Sequence, residues 1–193
     1  MAKRLDHVLV IDVESTCWDT RPPRGMFSEI IEVGICLVDV KCLQRVERRS
    51  ILVRPQNSEV SPFCTELTTL TQSLVETGVP LAEAVRILQV DYRGAERLMA
   101  SWGDYDRGQF QRNCKDYNLE YPFGPTHLNI KNLFSIALGL PKELGIDEAF
   151  QHVGLTLEGT HHRGGDDAWN IAELFCWVMR RLREGERPTI PAS

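Results

Sequence analysis

Asp12-Val13-Glu14 closes a near-continuous apolar run that begins at His7. In an extended chain, residues two apart point to the same side. Two carboxylates on one side at the end of a buried strand are costly unless a cation lies between them. Mg2+ and Mn2+ prefer such oxygen donors. Alone, the pattern also fits a solvated turn. Ser101-Trp102-Gly103-Asp104-Tyr105-Asp106 repeats the theme: a buried strand pattern ends in acids, and the plainer reading makes Asp104 or Asp106 a helix N-cap. His161-His162-Arg163-Gly164-Gly165-Asp166-Asp167 opens a long helical pattern, where acids in the first turn are ordinary. Two histidines, an arginine and two glycines exceed what a cap requires. The glycines would let backbone approach a substrate or a neighbouring strand closely.

Three separate segments thus set acids beside buried apolar runs. If they converge, four carboxylates can hold two divalent ions, roughly 3.5–4 Å apart in two-metal sites. A neighbouring histidine supplies a base that titrates near neutrality. Such a set is sufficient to hydrolyse a phosphodiester.

The elements that must position these groups follow from periodicity. His7 to Asp12 reads as a strand buried on both faces. Glu29 to Val40 reads as a second strand. Leu43 to Pro55 reads as a third, with one wet face carrying Arg45, Arg48 and Arg49 and with Pro55 ending it. These three suggest an antiparallel meander. A helix starts after Pro80, Arg97 to Trp102 is a short buried strand, and helices follow over Asp106 to Tyr117, Ile130 to Leu138, Ile146 to Val153 and Asp166 to Arg183. Arg180-Arg181 is expected to satisfy the end of the last helix. The order implies an α/β domain with a mixed sheet flanked by helices.

The chain has 193 residues with ordinary apolar and charged shares, 42% and 25%, which suits one domain with a sizeable core. No apolar run approaches the ~20 residues of a membrane span, so no membrane partner is expected. The start shows no signal peptide, and six scattered cysteines form no Cys-x-x-Cys pair; both point to the cytoplasm and reduced thiols. A net charge of −5 excludes tight binding along a duplex by bulk electrostatics. Attraction to nucleic acid would have to be local, through bound cations and a few Arg or Lys; Arg21, Arg24 and Lys131 are the better placed.

Asp12-x-Glu14, then Asp106, then His162-x-x-x-x-Asp167 resembles the DEDDh exonuclease superfamily in order and spacing. Ile30-Ile31-Glu32-Val33-Gly34 and Leu67-Thr68-Thr69-Leu70-Thr71-Gln72 are similar to further segments of that family. Asp12 to Trp18, Phe63-Cys64-x-x-Leu67-Thr68 and Leu128-Asn129-Ile130-Lys131 are similar to the branch that trims 3′ ends of histone messenger RNA and small interfering RNA, which also has bacterial sporulation-inhibitor-like members. The resemblance covers about residues 5 to 184. It implies a ribonuclease H-like mixed sheet, a three-strand antiparallel meander plus parallel strands, as a single exonuclease domain over 1–184 with a tail at 185–193. It implies a 3′→5′ exonuclease that releases nucleoside 5′-monophosphates, with two divalent ions, Mg2+ or Mn2+, and single-stranded or 3′-overhanging RNA or DNA as partner. Asp12, Glu14, Asp106 and Asp167 would hold the metals and His162 would be the base. Ser15, Thr16, Cys17, Trp18 and Tyr105 would meet the terminal nucleotide, the aromatic rings by stacking. Spacing alone fits His161 with Asp166 as well as His162 with Asp167. Ala168 and Asn170 match the family's Asp-Ala/Ser-x-Asn pattern and select the second pair. Two other readings remain open: a binding module for a nucleic-acid end or a protein, and a phosphohydrolase of small nucleotides.

Overall fold

The computed structural model describes residues 4–185. The expected tail beyond Gly185 lies outside the described residues. β1 (Arg4–Ser15), β2 (Ile30–Asp39) and β3 (Gln44–Leu52) form the antiparallel meander. β4 (Arg97–Ser101) runs parallel to the other side of β1, and β5 (His127–Asn129) runs parallel to β4. The five strands lie in the order β3-β2-β1-β4-β5.

β1 is central because it is apolar on both faces. Its alternation divides the core in two. Val8 and Val10 face a cluster built on α5 (Ile130–Ala137), α6 (Ile146–Val153) and α7 (Gly164–Glu184). Leu9, Ile11 and Val13 face a cluster built on α3 (Leu81–Val90) and α4 (Tyr105–Asp116). The same period of two puts Asp12 and Glu14 in step with Val8 and Val10, on the side of α7.

The start of α7 lies directly on the sheet. A Cβ on Gly34 would collide with the Gly164 carbonyl, and one on Gly164 would sit 2.9 Å from the Gly34 nitrogen and 3.2 Å from the Asp12 carbonyl oxygen. The glycines therefore serve close backbone approach of a helix to a neighbouring strand, one of the two roles expected of them.

Several elements differ from the periodicity reading. β1 is longer than His7 to Asp12, and β3 stops at Leu52 rather than Pro55. β5, α1 (Pro62–Thr68) and α2 (Gln72–Val75) are additions; they have three, seven and four residues, too short to show a period. The wet face of β3 is not simply solvated. Arg45 pairs with Glu158 and Glu173 at 2.9 and 3.1 Å, Arg48 pairs with Asp166, and Arg49 lies over the Tyr92 ring. Arg180 does not close its own helix end: it donates to the Leu43 carbonyl at 2.7 Å and pairs with Glu173. Lys131 faces Glu143 at 3.4 Å. Among the described residues, no helix is long and apolar enough to cross a membrane.

Candidate active site

The parallel pairing of β1 and β4 brings their C-terminal ends together, the usual place for a site in a sheet of this kind. Asp12 and Glu14 stand at the end of β1. Beyond β4 the chain turns at Gly103, whose φ of +102° suits glycine, and enters α4 with Asp106 in its first turn. The glycine contact sets the first turn of α7 over Asp12 and so delivers Asp167.

Asp12, Glu14 and Asp167 each offer a carboxylate oxygen, and these oxygens lie within 4.8 Å of one another. Asp106 lines the same cleft but is bound differently. Its Oδ1 accepts from the Val13 N–H at 2.9 Å, which stitches α4 to β1. Asp167 is held by the His162 N–H at 2.8 Å and lies 3.1 Å from His161 Nδ1. Both histidine rings line the cleft, stacked with centroids 3.9 Å apart. Asp166 turns away: it pairs with Arg48 and accepts from the Thr160 N–H at 2.7 Å. Asn170 pins the same loop by exchanging bonds with the backbone of Glu158 at 3.0 and 2.9 Å.

The crowding of acids is visible in their proton affinities. Burial, reinforced by the charges of Asp106, Glu14 and Asp167, holds the Asp12 carboxyl well above its usual range. Burial, then Asp167, Glu32 and Asp106, push Glu14 up to about 8. Burial pushes Asp106 up to about 6, against the pull of the Val13 N–H and the Ser101 hydroxyl. Burial and the neighbouring His161 lower His162. The clustered carboxylates fit a hard divalent ion: the donors are all oxygen, as Mg2+ and Mn2+ require.

A cavity of about 230 Å3 opens over this set. Of the five residues expected to meet a terminal nucleotide, only Tyr105, 55% exposed, lines it. Thr16 does not: it is fully buried, its N–H donates to the Glu29 carbonyl at 2.8 Å, and its hydroxyl bridges Phe27 and Glu29. Its place is to fix the turn after β1. The Ser15 hydroxyl is likewise buried. Cys17 and Trp18 are half-buried and lie outside the cavity lining. Trp102, Ile146 and Ile171 line the cleft unforeseen, and Phe63, Glu66 and Leu67 of α1 line an adjoining cavity with His162. Phe63 and Leu67 are each 40% exposed. Large apolar residues left exposed beside a motif were the available signal, though exposure is not readable from sequence.

Two supports behind the site were also missed. Glu32, opposite Glu14 in the β1–β2 register and fully buried, receives Arg163 at 2.9 and 3.2 Å, the Gly164 N–H at 2.8 Å and the Ser50 hydroxyl. The Ser101 hydroxyl lies 2.8 Å from His127 Nε2, and His127 Nδ1 lies 3.4 Å from Asp104. His127 thus props Ser101, whose hydroxyl pulls on Asp106.

A family model described as an exonuclease matches residues 9–175. The chain belongs to this exonuclease family. The exonuclease domain is 28% identical to the probable 3′-5′ exonuclease KapD of Bacillus subtilis, over 95% of this chain and 90% of that protein. It is 27% identical to human 3′-5′ exoribonuclease 1, over 93% of this chain but 53% of the relative, so it spans about half of that protein's length. Among solved structures, the nuclease domain of 3′hExo, a DEDDh family member bound to rAMP, superposes with a TM-score of 0.79 at 25% identity and covers 100% of both chains. The mixed sheet flanked by helices is therefore the ribonuclease H-like arrangement that the sequence resemblance implied. The exonuclease domain is a hydrolase of phosphodiester bonds in a family that depends on divalent metal, and its named relatives share the 3′→5′ polarity.

Proposed function

We propose that this exonuclease domain removes nucleotides singly from the 3′ end of single-stranded or 3′-overhanging RNA or DNA. The observation that carries the reading is the convergence of Asp12, Glu14 and Asp167 within 4.8 Å, with both histidine rings at the same cleft. Asp12, Glu14 and Asp167 would hold one Mg2+ or Mn2+ ion, and Asp106, with Asp12, a second. When bound, the ions neutralise charge on the attacking and leaving oxygens of the phosphodiester. His162 takes the proton of the attacking water, a role its lowered proton affinity supports by keeping the ring neutral near pH 7. The water oxygen bonds to phosphorus, the 3′ oxygen of the preceding nucleotide leaves, and a nucleoside 5′-monophosphate is released. Tyr105 on one wall, and Phe63 and Leu67 beside His162, offer apolar faces for the last bases. The six cysteines are free thiols, which supports a reducing, cytoplasmic setting.

The test is degradation of 3′-end substrates in Mg2+ or Mn2+. Labelled single-stranded RNA and DNA of one sequence are compared with a blunt duplex, beside Asp12→Ala and His162→Ala. Stepwise shortening from the 3′ end, lost in both variants and in EDTA, is the expected result. Faster loss of the blunt duplex would overturn the single-strand preference. No shortening of any strand would replace the reading with an end-binding module or, if free nucleotides are hydrolysed, a small-nucleotide phosphohydrolase.

A further inference from the structure

The acids of the cleft are all-oxygen donors, but one of them also belongs to a second group with a different chemistry. His161, His162 and Asp167 each offer one ligand atom, and these atoms lie within 4.8 Å of one another. His161 Nδ1 is 3.1 Å from Asp167 Oδ1, and His161 Nε2 is 4.0 Å from Asp147 Oδ2 at the start of α6. The rings stack at 3.9 Å with 29° between their planes, so one ring must turn out of the stack for both in-plane nitrogen lone pairs to meet one ion. Two imidazole nitrogens on a tetrahedral zinc ion stand about 3.4 Å apart, given Zn–N bonds of about 2.0–2.1 Å. The His161 side chain is 36% exposed and is free to make that turn. Imidazole nitrogen widens the preference for Zn2+, Co2+ and Ni2+ over Mg2+ and Mn2+ beyond what carboxylate oxygens alone give.

We propose that His161, His162 and Asp167 form an inhibitory site for a borderline transition-metal ion of the Zn2+ class. His161 creates the site, since without it the group has one nitrogen and one carboxylate. An ion held there engages the His162 ring and competes for Asp167. The inhibition rests on the exonuclease reading; the binding does not.

Binding is therefore measured first, by calorimetry with Zn2+ and with Mg2+, and by the visible spectrum of Co2+, which separates tetrahedral from octahedral coordination. Wild type, His161→Gln and the double variant Asp12→Asn/Asp106→Asn are compared, each checked by circular dichroism. The ratio of Zn2+ to Mg2+ affinity should fall at least roughly tenfold in His161→Gln. The double variant should lose Mg2+ affinity and keep a tetrahedral Co2+ spectrum. An unchanged ratio in His161→Gln, or loss of Zn2+ and Mg2+ together in the double variant, would put the ion among the acids alone and overturn the site. In the nuclease assay, Zn2+ added to the Mg2+-loaded wild type should slow shortening more than in His161→Gln. Equal slowing would reject its inhibitory role, and a chain without nuclease activity would still give the binding result.

Discussion

Glu32 is a fully buried carboxylate directly across the sheet from Glu14. Burial alone would raise it, but Arg163, Ser50 and the Gly164 N–H outweigh burial and hold it below the usual carboxylate range. Removing one partner of a buried pair leaves the other charge uncompensated and costs about 3–5 kcal/mol. Arg163 is 31% exposed, so Arg163→Ala should fall near the lower end, about 3 kcal/mol by urea denaturation. Adding Glu32→Gln should recover part of that loss; no recovery would mean that the pair is not the source. A milder effect is expected behind Asp106. Ser101→Ala leaves His127 without its hydroxyl partner and frees the Asp106 carboxylate, so Mn2+ affinity by calorimetry should weaken about tenfold. Unchanged affinity would reduce Ser101 to packing. The acids of the cleft were legible because each stands where an apolar run stops or a long helical pattern opens. Arg163 and Glu32 were not legible as a pair, since 131 residues separate them; the one clue was an acid inside the apolar run Ile-Ile-Glu-Val-Gly.

At the scale of elements, the site depends on how closely α7 lies on β2. Gly34→Ala inserts a Cβ where the Gly164 carbonyl stands, and overpacking of this kind costs about 1–3 kcal/mol. The backbone cannot rotate away as a side chain can, so the start of α7 must lift and carry Asp167 from Asp12. Gly34→Ala should therefore lower activity well beyond its loss of stability, measured by comparing nuclease rate at a temperature where the variant is fully folded. Full activity in the folded variant would show that Asp167 does not depend on this contact. The long elements were legible because β1, β2, α4 and α7 each carry enough residues to display a period. β5 was not, because His-Leu-Asn is a strand only by virtue of its pairing with β4. The arginines of β3 misled for a related reason: charge on a strand face reads as solvated, whereas Glu158, Asp166 and Glu173 come to them from far along the chain.

For the whole molecule, the acid cluster ties stability to pH and to metal. Glu14 and Asp106 have folded proton affinities raised to about 8 and about 6, above their values in an unfolded chain. The folded state then binds more protons than the unfolded one between the two limits, and stability falls as pH rises wherever that holds. The contribution of these groups is fully present below about pH 4 and is lost as pH climbs through about 6 and then about 8. A divalent ion reverses the trend, because it binds the deprotonated carboxylates and stabilises only the folded chain. In EDTA, the melting temperature should decline from about pH 5 to about pH 9, after allowance for groups titrating elsewhere. In excess Mg2+, the gain over EDTA should be small at the acid end and large at the alkaline end. Differential scanning fluorimetry across that range, with Glu14→Gln as control, measures both. The variant removes the titration that Glu14 contributes, so its EDTA curve should be flatter and its Mg2+ gain smaller at high pH. A Mg2+ gain that is independent of pH, or an EDTA curve that rises through this range in wild type and variant alike, would show that the clustered carboxylates do not govern the stability of the fold.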